Sequence, residues 1–332
     1  MQVMKPSPVD VLVAIFSDTV AWTIPPAHVE GLRARFPQAA FHHATSEADM
    51  VRLIAPCEVA FTSRLTAEAF ASAPNLRWLH SPAAGVGSML FPAMQHSPVV
   101  MSNSRGMNAG AVAEHALLLL LAVTRRLPEA VRAQDERRWI SDELSGLPVL
   151  RGKTLGIVGL GAIGQELAVM AAALGMRVIG TRREEGAPVP AGVAEALAPE
   201  ALPRLLAASD YLVIAAPLTA DTKSLLGAAQ FRQMKRSAWL VNVARGKIIR
   251  ESDLVAALGD GVIAGAALDV VEHEPLDAGS PLWSMPNVLL TPHVGGFRAD
   301  YWDGATALFA TSLEKYLRGE QPANIVDKQA GY

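Results

Sequence analysis

The sequence has little of three features that mark particular classes of protein: cysteine, net charge and long apolar runs. Cys57 is the only cysteine, so no intrachain disulfide can form and no cysteine–histidine cluster offers a tetrahedral zinc site. The formal net charge is only −3, which gives no support to a nucleic-acid partner. The longest apolar run, over 116–123, is far shorter than the ~20 residues that cross a bilayer. We therefore expect no membrane span and no metal site. We also expect a reducing, cytoplasmic setting in which Cys57 is a small buried thiol.

What is present is a globular composition with alternating strand and helix patterns. Hydrophobic residues make up 51% of the 332 residues and charged residues 18%, which is enough apolar material for two domains with separate cores. Short apolar, β-branched segments predict strands, and stretches that open with proline or threonine predict helices between them. The first series has strands at 9–16, 59–63, 76–80 and 99–102, and the second series runs from LGIVG to VLLTPH. This alternation indicates parallel sheets covered on both faces.

Two helices and one loop complete the predicted organisation. The stretch 109–121 is apolar nearly all round, which is typical of a helix buried on most sides. The polar stretch 134–151 that follows is predicted to be a loop. The tail over 298–317 is predicted to be a helix that packs back on the first domain.

The sharpest local motif is LGIVGLGAIGQELA, in which Gly159, Gly161 and Gly164 form G-x-G-x-x-G between a strand and a helix. The first glycine permits a tight turn, the second lets the backbone approach a pyrophosphate, and the third lets helix and strand pack closely. The free amides of the helix that begins at Ala162 and Ile163 would face the phosphates. This motif predicts a dinucleotide site.

The strand after the motif ends at Thr181, Arg182 and Arg183 rather than at an acidic residue. A carboxylate at this point binds the ribose of NAD and would repel a 2′-phosphate, whereas a guanidinium binds a 2′-phosphate well. We therefore predict a preference for NADP(H), with NAD(H) still possible if both arginines are solvated surface charges.

Three polar residues follow three apolar strands of the second series: Arg245 after AWLVNVA, Glu274 after GAALDVVEH, and His293 after VLLTP. Ligands of open parallel sheets bind beyond the carboxyl ends of the strands, so these side chains are predicted to converge. Reduction of a 2-oxo acid needs a proton donor, which His293 can be, and a cation for the carboxylate or carbonyl, which Arg245 can supply. Glu274 would orient the imidazole and favour its charged form. A purely structural role for each residue is the alternative.

The stretches VGLGAIG, VNVARGKII, ALDVVEHEP and TPHVGG resemble, in order and spacing, those of the D-2-hydroxyacid dehydrogenase family. The resemblance implies an α/β fold of two doubly wound parallel-sheet domains. It implies a Rossmann dinucleotide-binding domain over 104–297 and a smaller, flavodoxin-like substrate domain over 1–103 and 298–332. It also implies that Asp269 lies near the nicotinamide carboxamide and that Pro217 and Thr222 line the cofactor site. A homodimer, with the helix at 109–121 as a dimer-forming element, is implied as well.

The resemblance extends to the substrate. The loop SPAAGVG resembles a turn whose backbone amides hold the substrate carboxylate, which would involve Ala84, Gly85 and Val86, although Gly87 replaces the usual acidic residue. Arg64 resembles an arginine that reaches substrate in some members, and a surface salt bridge is its alternative role. His115 is expected to be a satisfied interior histidine. Trp139 resembles an aromatic residue that reaches the partner subunit in some members, but we expect it to pack within its own chain.

The predicted function is therefore an NAD(P)-dependent interconversion of a small 2-oxo acid and its D-2-hydroxy acid. A reductase of the glyoxylate or hydroxypyruvate type is the first expectation, with His293 as proton donor and acceptor. One alternative is oxidation of another small anion such as phosphite. The other is a non-catalytic dinucleotide-sensing regulator with the same fold, and turnover of a 2-oxo acid would distinguish the enzyme from the sensor.

Overall fold

The computed structural model describes residues 8–184 and 186–331, which form two compact units. Unit 1 contains the described residues up to Met107 and from Phe297 onward, and unit 2 is Asn108–Gly296. Each unit is built on its own fully parallel sheet, one of five strands and one of seven. The predicted α/β class with two doubly wound parallel-sheet domains is therefore confirmed.

The sheet of unit 1 has the strand order β2-β1-β3-β4-β5, which is the flavodoxin-like order. Its central strands are buried on both faces, as parallel strands covered by helices must be. The strands are β1 Val9–Ala14, β2 Ala39–His43, β3 Val59–Thr62, β4 Trp78–Ser81 and β5 Val100–Asn103. The helices between them are α1 Pro26–Arg35, α2 Glu47–Leu53, α3 Ala67–Ala71 and α4 Pro92–Gln95.

The sheet of unit 2 has the order β12-β11-β10-β9-β6-β7-β8, in which the chain reverses direction across the sheet next to β6. The strands are β6 Thr154–Val158, β7 Arg177–Thr181, β8 Glu195–Leu197, β9 Tyr211–Ile214, β10 Trp239–Asn242, β11 Gly265–Leu268 and β12 Val288–Leu290. The helices are α5 Ala109–Thr124, α6 Leu127–Asp135, α7 Ala162–Ala173, α8 Leu202–Ala208, α9 Ala228–Phe231 and α10 Glu251–Gly259. This reversal creates a crevice at the carboxyl ends of β6 and β9, the usual place for a ligand in open sheets.

The C-terminal helix α11, Tyr301–Leu317, belongs to unit 1 and covers one face of its sheet. Phe309 stacks on Phe61 of β3 at 4.3 Å between ring centroids and on Trp78 of β4 at 5.4 Å. These aromatic rings bury a large apolar area and fix the helix against the sheet.

Cys57 is fully buried in the core of unit 1, as predicted, and its Sγ donates to the carbonyl of Leu53 at 3.2 Å. Burial, assisted by the negative charge of Asp10, raises the pKa of the thiol to about 12. Because the thiolate is the reactive form, this cysteine is chemically inert.

The structure contains elements that the sequence did not predict. Strand β2 has the sequence AAFHH, and alanine is depleted in strands, so its pattern was missed. This strand lies at the edge of the sheet and is held there by its parallel pairing with β1. Helix α6 also went unpredicted and overlaps the first residues of the expected loop at 134–151. Among the described residues, no helix is long and apolar enough to cross a membrane.

Candidate active site

The glycine motif forms the turn between β6 and α7, and each glycine has a different environment. Gly159 has a φ of +100°, and a Cβ there would lie 2.8 Å from the backbone of Ala216 beyond β9. At Gly164 a Cβ would lie 2.2 Å from the carbonyl oxygen of Gly159, so any side chain would push α7 away from β6. At Gly161, in contrast, a Cβ would meet nothing within 4 Å.

The open side of the turn fits a dinucleotide. Gly161 and Ala162 are exposed, Ile163 is half-buried, and no side chain caps the N-terminus of α7. The free backbone amides and the positive end of the helix dipole therefore face open space where a pyrophosphate would bind. The residues present thus fit the pyrophosphate part of a nicotinamide dinucleotide.

A second loop lies at the carboxyl end of β9 and contains Pro217 and Thr222. The Thr222 hydroxyl donates to the carbonyl of Pro217 at 2.6 Å and accepts from the amide of Thr219 at 2.7 Å. The loop is therefore held by its own hydrogen bonds. It starts from the strand next to β6, at the crevice where the sheet reverses.

Thr181, Arg182 and Arg183 lie at the tip of β7. The buried Thr181 hydroxyl accepts from the amide of Gly159 at 3.2 Å, so this side chain braces the glycine turn. The Arg182 guanidinium donates to the carbonyls of Ala187 and Pro188. Arg183 is 3.4 Å from the Thr219 hydroxyl and 3.9 Å from the carboxylate of Asp221. Two guanidinium groups therefore lie at the strand tip, each near other polar groups.

The proposed proton donor and its orienting carboxylate are in direct contact. Nδ1 of His293 is 2.6 Å from Oε2 of Glu274, and both side chains remain more than one-third exposed. Burial would raise the pKa of Glu274, but the hydrogen bond and charge of His293 outweigh it and lower the pKa overall. Glu274 is therefore ionised at neutral pH, and Nε2 of His293 is left for a substrate.

Arg245 follows β10 and is brought toward the same loop by a close backbone approach. A Cβ on the next residue, Gly246, would lie 1.9 Å from the backbone of Val271, so only glycine fits there. Val271 also donates its amide to Oε1 of Glu274 at 3.2 Å. Burial lowers the pKa of Arg245, and the negative charge of Glu274 partly opposes this effect. The negative charge of Glu274 thus acts on both Arg245 and His293.

Asp269 holds the backbone around His293. Its Oδ1 accepts from the Thr291 hydroxyl at 2.6 Å and from the amide of Val294 at 3.0 Å, and its Oδ2 accepts from the amide of Gly295 at 2.9 Å. Burial raises its pKa, but these donors, with His115, more than reverse that effect and lower the pKa to about 2. His293 has a left-handed φ of +54°, a strained conformation for a non-glycine residue, and Asp269 fixes it.

His115 is a hydrogen-bonded interior residue, as predicted. Its Nε2 is 3.0 Å from the Thr291 hydroxyl and 3.2 Å from Oδ1 of Asp269. Sequence analysis missed this connection because the three residues lie on separate elements. The expectation for Trp139 was wrong: its side chain is 96% exposed, so it does not pack within its own chain.

The predicted carboxylate-binding loop belongs to unit 1, where Ala84 and Gly85 are exposed and Val86 is buried. The Asn103 side chain donates to the carbonyl of Ala84 at 2.7 Å and steadies the loop. Arg64 is 3.5 Å from the carboxylate of Glu47 and lies over the ring of Phe16 at 5.0 Å. Arg64 therefore takes part in the salt bridge that was its alternative role, but it also lines a cavity of about 580 Å³.

Comparisons with known proteins give the family. Residues 117–295 match the family model described as D-isomer specific 2-hydroxyacid dehydrogenase, NAD binding domain. The chain belongs to this family. A glyoxylate reductase of Korarchaeum cryptofilum is 34% identical over 279 residues, which are 81% of either chain.

Solved structures agree over nearly the whole length. A D-isomer specific 2-hydroxyacid dehydrogenase family protein from Aeromonas salmonicida has a TM-score of 0.84 at 31% identity, covering 97% of this chain and 100% of that one. An NADPH-dependent glyoxylate/hydroxypyruvate reductase from Sinorhizobium meliloti, solved with NADP and sulfate, has a TM-score of 0.83 at 28% identity, with coverage of 98% and 100%. The chain is an NAD(P)-dependent 2-hydroxyacid dehydrogenase, and its cofactor is a nicotinamide dinucleotide.

Proposed function

We propose that this dehydrogenase reduces small 2-oxo acids of the glyoxylate and hydroxypyruvate type to their D-2-hydroxy acids. The observation that carries the proposal is the 2.6 Å contact between His293 and Glu274, in the same unit as the dinucleotide turn. The related proteins named glyoxylate reductase support the substrate class. The alternatives of a non-catalytic sensor and of phosphite oxidation are not favoured, because the named relatives are reductases.

Each residue has a defined part in the reaction. The bound nicotinamide supplies the hydride that is added to the carbonyl carbon. His293, held by Glu274, donates the proton to the carbonyl oxygen from Nε2, and Arg245 stabilises negative charge on the carbonyl or carboxylate oxygen. The backbone amides of Ala84, Gly85 and Val86, with Arg64, bind the substrate carboxylate. In the reverse direction, His293 removes the hydroxyl proton.

The test is turnover with defined variants. We expect glyoxylate and hydroxypyruvate to be reduced with NADPH, and His293→Ala to lower kcat by about 10²- to 10⁴-fold, the range for loss of a general acid. His96→Ala is a control, since this exposed histidine lies in unit 1 and its ring bonds the nearby carbonyl of Pro92. Full activity of His293→Ala would disprove the assignment.

We further propose that residues 104–297 are the dinucleotide-binding domain and that NADPH is preferred over NADH. The guanidinium groups of Arg182 and Arg183, next to Thr181 at the end of β7, support the preference for NADPH. Asp269 is proposed to lie near the nicotinamide carboxamide, and Pro217 and Thr222 along the cofactor. We expect kcat/KM to be at least tenfold higher with NADPH than with NADH. Arg183→Gln should lower this ratio, whereas Arg177→Gln, at the opposite end of β7, should not. A ratio near one in the wild-type enzyme would contradict the proposal.

We propose that residues 1–103 and 298–332 form the substrate domain and that the enzyme is a homodimer. Unit 2 exposes a set of large apolar side chains on and after α5 and α6: Leu118, Leu121, Leu127, Val131, Trp139 and Val149. Such patches mark interaction surfaces. Replacing Leu127 and Val131 with glutamate should give monomers in sedimentation experiments, and Val20→Glu, at an even more exposed apolar residue of unit 1, should not. A wild-type monomer would contradict this.

A cytoplasmic location is proposed as well, because the single thiol is buried and no disulfide is available to the fold. Fractionation of cells that express the tagged chain would test this location.

A further inference from the structure

The cavity in unit 1 begins at the loop that is proposed to hold the substrate carboxylate. Pro82 and Ala83, which directly precede Ala84, line it, and so does Ser88, just after Val86. A substrate anchored by its carboxylate on this loop has its 2-substituent within reach of the cavity. The cavity therefore bears on which 2-oxo acid the enzyme accepts.

Aromatic residues make up a third of those that line the cavity. Five rings line it, from four separate segments of unit 1: Phe16, Trp22, Phe91, Tyr301 and Trp302. At about 580 Å³, its volume falls within the range of about 300–1,000 Å³ that is typical of pockets for much larger organic ligands than glyoxylate. Glyoxylate carries only a hydrogen atom as its 2-substituent and would leave these rings in contact with water.

Three of the five rings, Trp22, Tyr301 and Trp302, are held by contacts with one another. Trp22 makes edge-to-face contacts with Tyr301 at 5.8 Å and Phe297 at 4.7 Å, and Tyr301 makes another with Trp302 at 4.9 Å. The Tyr301 hydroxyl donates to the carbonyl of Pro82 at 2.9 Å, which ties the aromatic wall to the substrate loop. Burial raises the pKa of Tyr301 to about 12, so this donor keeps its proton.

The charges in the cavity do not favour an acidic 2-substituent. Arg64 is the cationic residue of the lining, and Glu47, the carboxylate of the lining, lies 3.5 Å from it. The guanidinium also covers the face of Phe16 at 5.0 Å. A second substrate carboxylate would have to displace Glu47 or lie beside it, whereas an apolar group can lie against the rings without either cost.

We propose that the unit 1 cavity is the binding site for the 2-substituent of the substrate and selects 2-oxo acids with a large apolar or aromatic side chain. This inference rests on the proposed function, and it extends the substrate range beyond glyoxylate and hydroxypyruvate. The reaction is the same: a hydride and a proton are added to the carbonyl group.

Steady-state kinetics with NADPH and a graded set of 2-oxo acids test the proposal without altering the protein. From pyruvate through 2-oxobutanoate and 2-oxopentanoate to 2-oxohexanoate, we expect kcat/KM to rise about fourfold per methylene, because each buried methylene contributes about 0.8 kcal/mol. Phenylpyruvate should exceed glyoxylate in kcat/KM by at least tenfold. A flat or falling series overturns the inference, and so does 2-oxoglutarate as the best substrate.

The second test uses a variant in which a larger side chain fills part of the cavity. Ala67, at the start of α3, lines the cavity and is exposed, so Ala67→Trp places an indole at its wall. We expect the ratio of kcat/KM for phenylpyruvate to that for glyoxylate to fall at least tenfold. Ala71→Trp, on the same helix but outside the lining, is the matched control and should leave the ratio unchanged.

The outcomes separate this inference from the proposed function. No turnover of any 2-oxo acid with either cofactor would refute the proposed function and remove the basis of the inference. Efficient glyoxylate reduction, with phenylpyruvate no better and Ala67→Trp without effect on the ratio, would refute the cavity inference alone.

Discussion

Replacing Asp269 with asparagine should release the loop that holds His293 in its left-handed conformation. The carboxylate accepts from Thr291, Val294 and Gly295, so an asparagine must turn its amide group toward at least one of these donors. A buried donor without an acceptor costs about 1–3 kcal/mol. The same donors lower the pKa of Asp269 to about 2 from an ordinary value near 3.9, which corresponds to about 2.5 kcal/mol in favour of the ionised form.

We therefore expect Asp269→Asn to destabilise this loop by about 2–4 kcal/mol, and the amides of residues 293–295 to exchange with deuterium about 30- to 1,000-fold faster. Because kcat depends on His293, it should fall together with the loss of protection. The pKa of Asp269 is lowered by folding, so its contribution is complete above about pH 5 and declines as the pH falls toward 2.

The assay is amide exchange followed by mass spectrometry, in parallel with steady-state kinetics. Asp277→Asn is the control, because this exposed carboxylate accepts the amide of Gly279 in its own turn at 2.8 Å. If Asp269→Asn changes both the exchange of residues 293–295 and kcat by less than threefold, the carboxylate does not hold the loop.

Three further predictions concern other parts of the molecule. Gly164→Ala should lower the free energy of unfolding by about 1–3 kcal/mol in urea titrations, because its Cβ overlaps a backbone oxygen. Gly161→Ala should instead leave stability unchanged and weaken NADPH binding at least tenfold by fluorescence titration. Glu274→Gln should lower kcat for reduction in steady-state kinetics, because His293 loses the carboxylate that holds its ring. Burial lowers the pKa of His80 to about 3, so only the unfolded chain takes up its proton between pH 6.5 and 3. Stability should therefore fall as the pH drops, by about 2 kcal/mol between pH 7 and 5 for this group, and His80→Gln should lack that part of the slope.

The features that could be predicted are those whose sequence pattern lies within a short stretch of the chain. The glycine turn was recognisable because its three constraints, a positive φ at Gly159 and two close approaches, fall within six consecutive residues. Arg245, Glu274 and His293 were singled out because each follows an apolar strand, and parallel strands end at one edge of a sheet. The contact between His293 and Glu274 follows from that topology.

The unpredicted features depend on tertiary contacts. Helix α6 has a short apolar stripe at helical spacing, Leu127, Ala130 and Val131, which the sequence analysis missed, and Leu127 and Val131 are each 48% exposed in the described chain. The role of Asp269 as a support for the His293 loop depends on donors from separate segments. The aromatic cavity is likewise assembled from distant parts of unit 1, with Trp22 and Trp302 far apart in sequence. The adjacent aromatic pair Tyr301 and Trp302, at the start of α11, was a local signal that could have pointed to it.

The two units divide the residues of the proposed reaction between them. Those proposed to handle hydride and proton belong to the seven-stranded unit, and those proposed to recognise the 2-substituent belong to the five-stranded one. Substitutions along the wall formed by Trp22, Phe91 and Trp302 would therefore exchange one 2-oxo acid for another while the acid–base pair stays intact. Substitutions at a few aromatic positions, in evolution or in the laboratory, can therefore change the preferred substrate without changing the residues proposed to carry out the reaction.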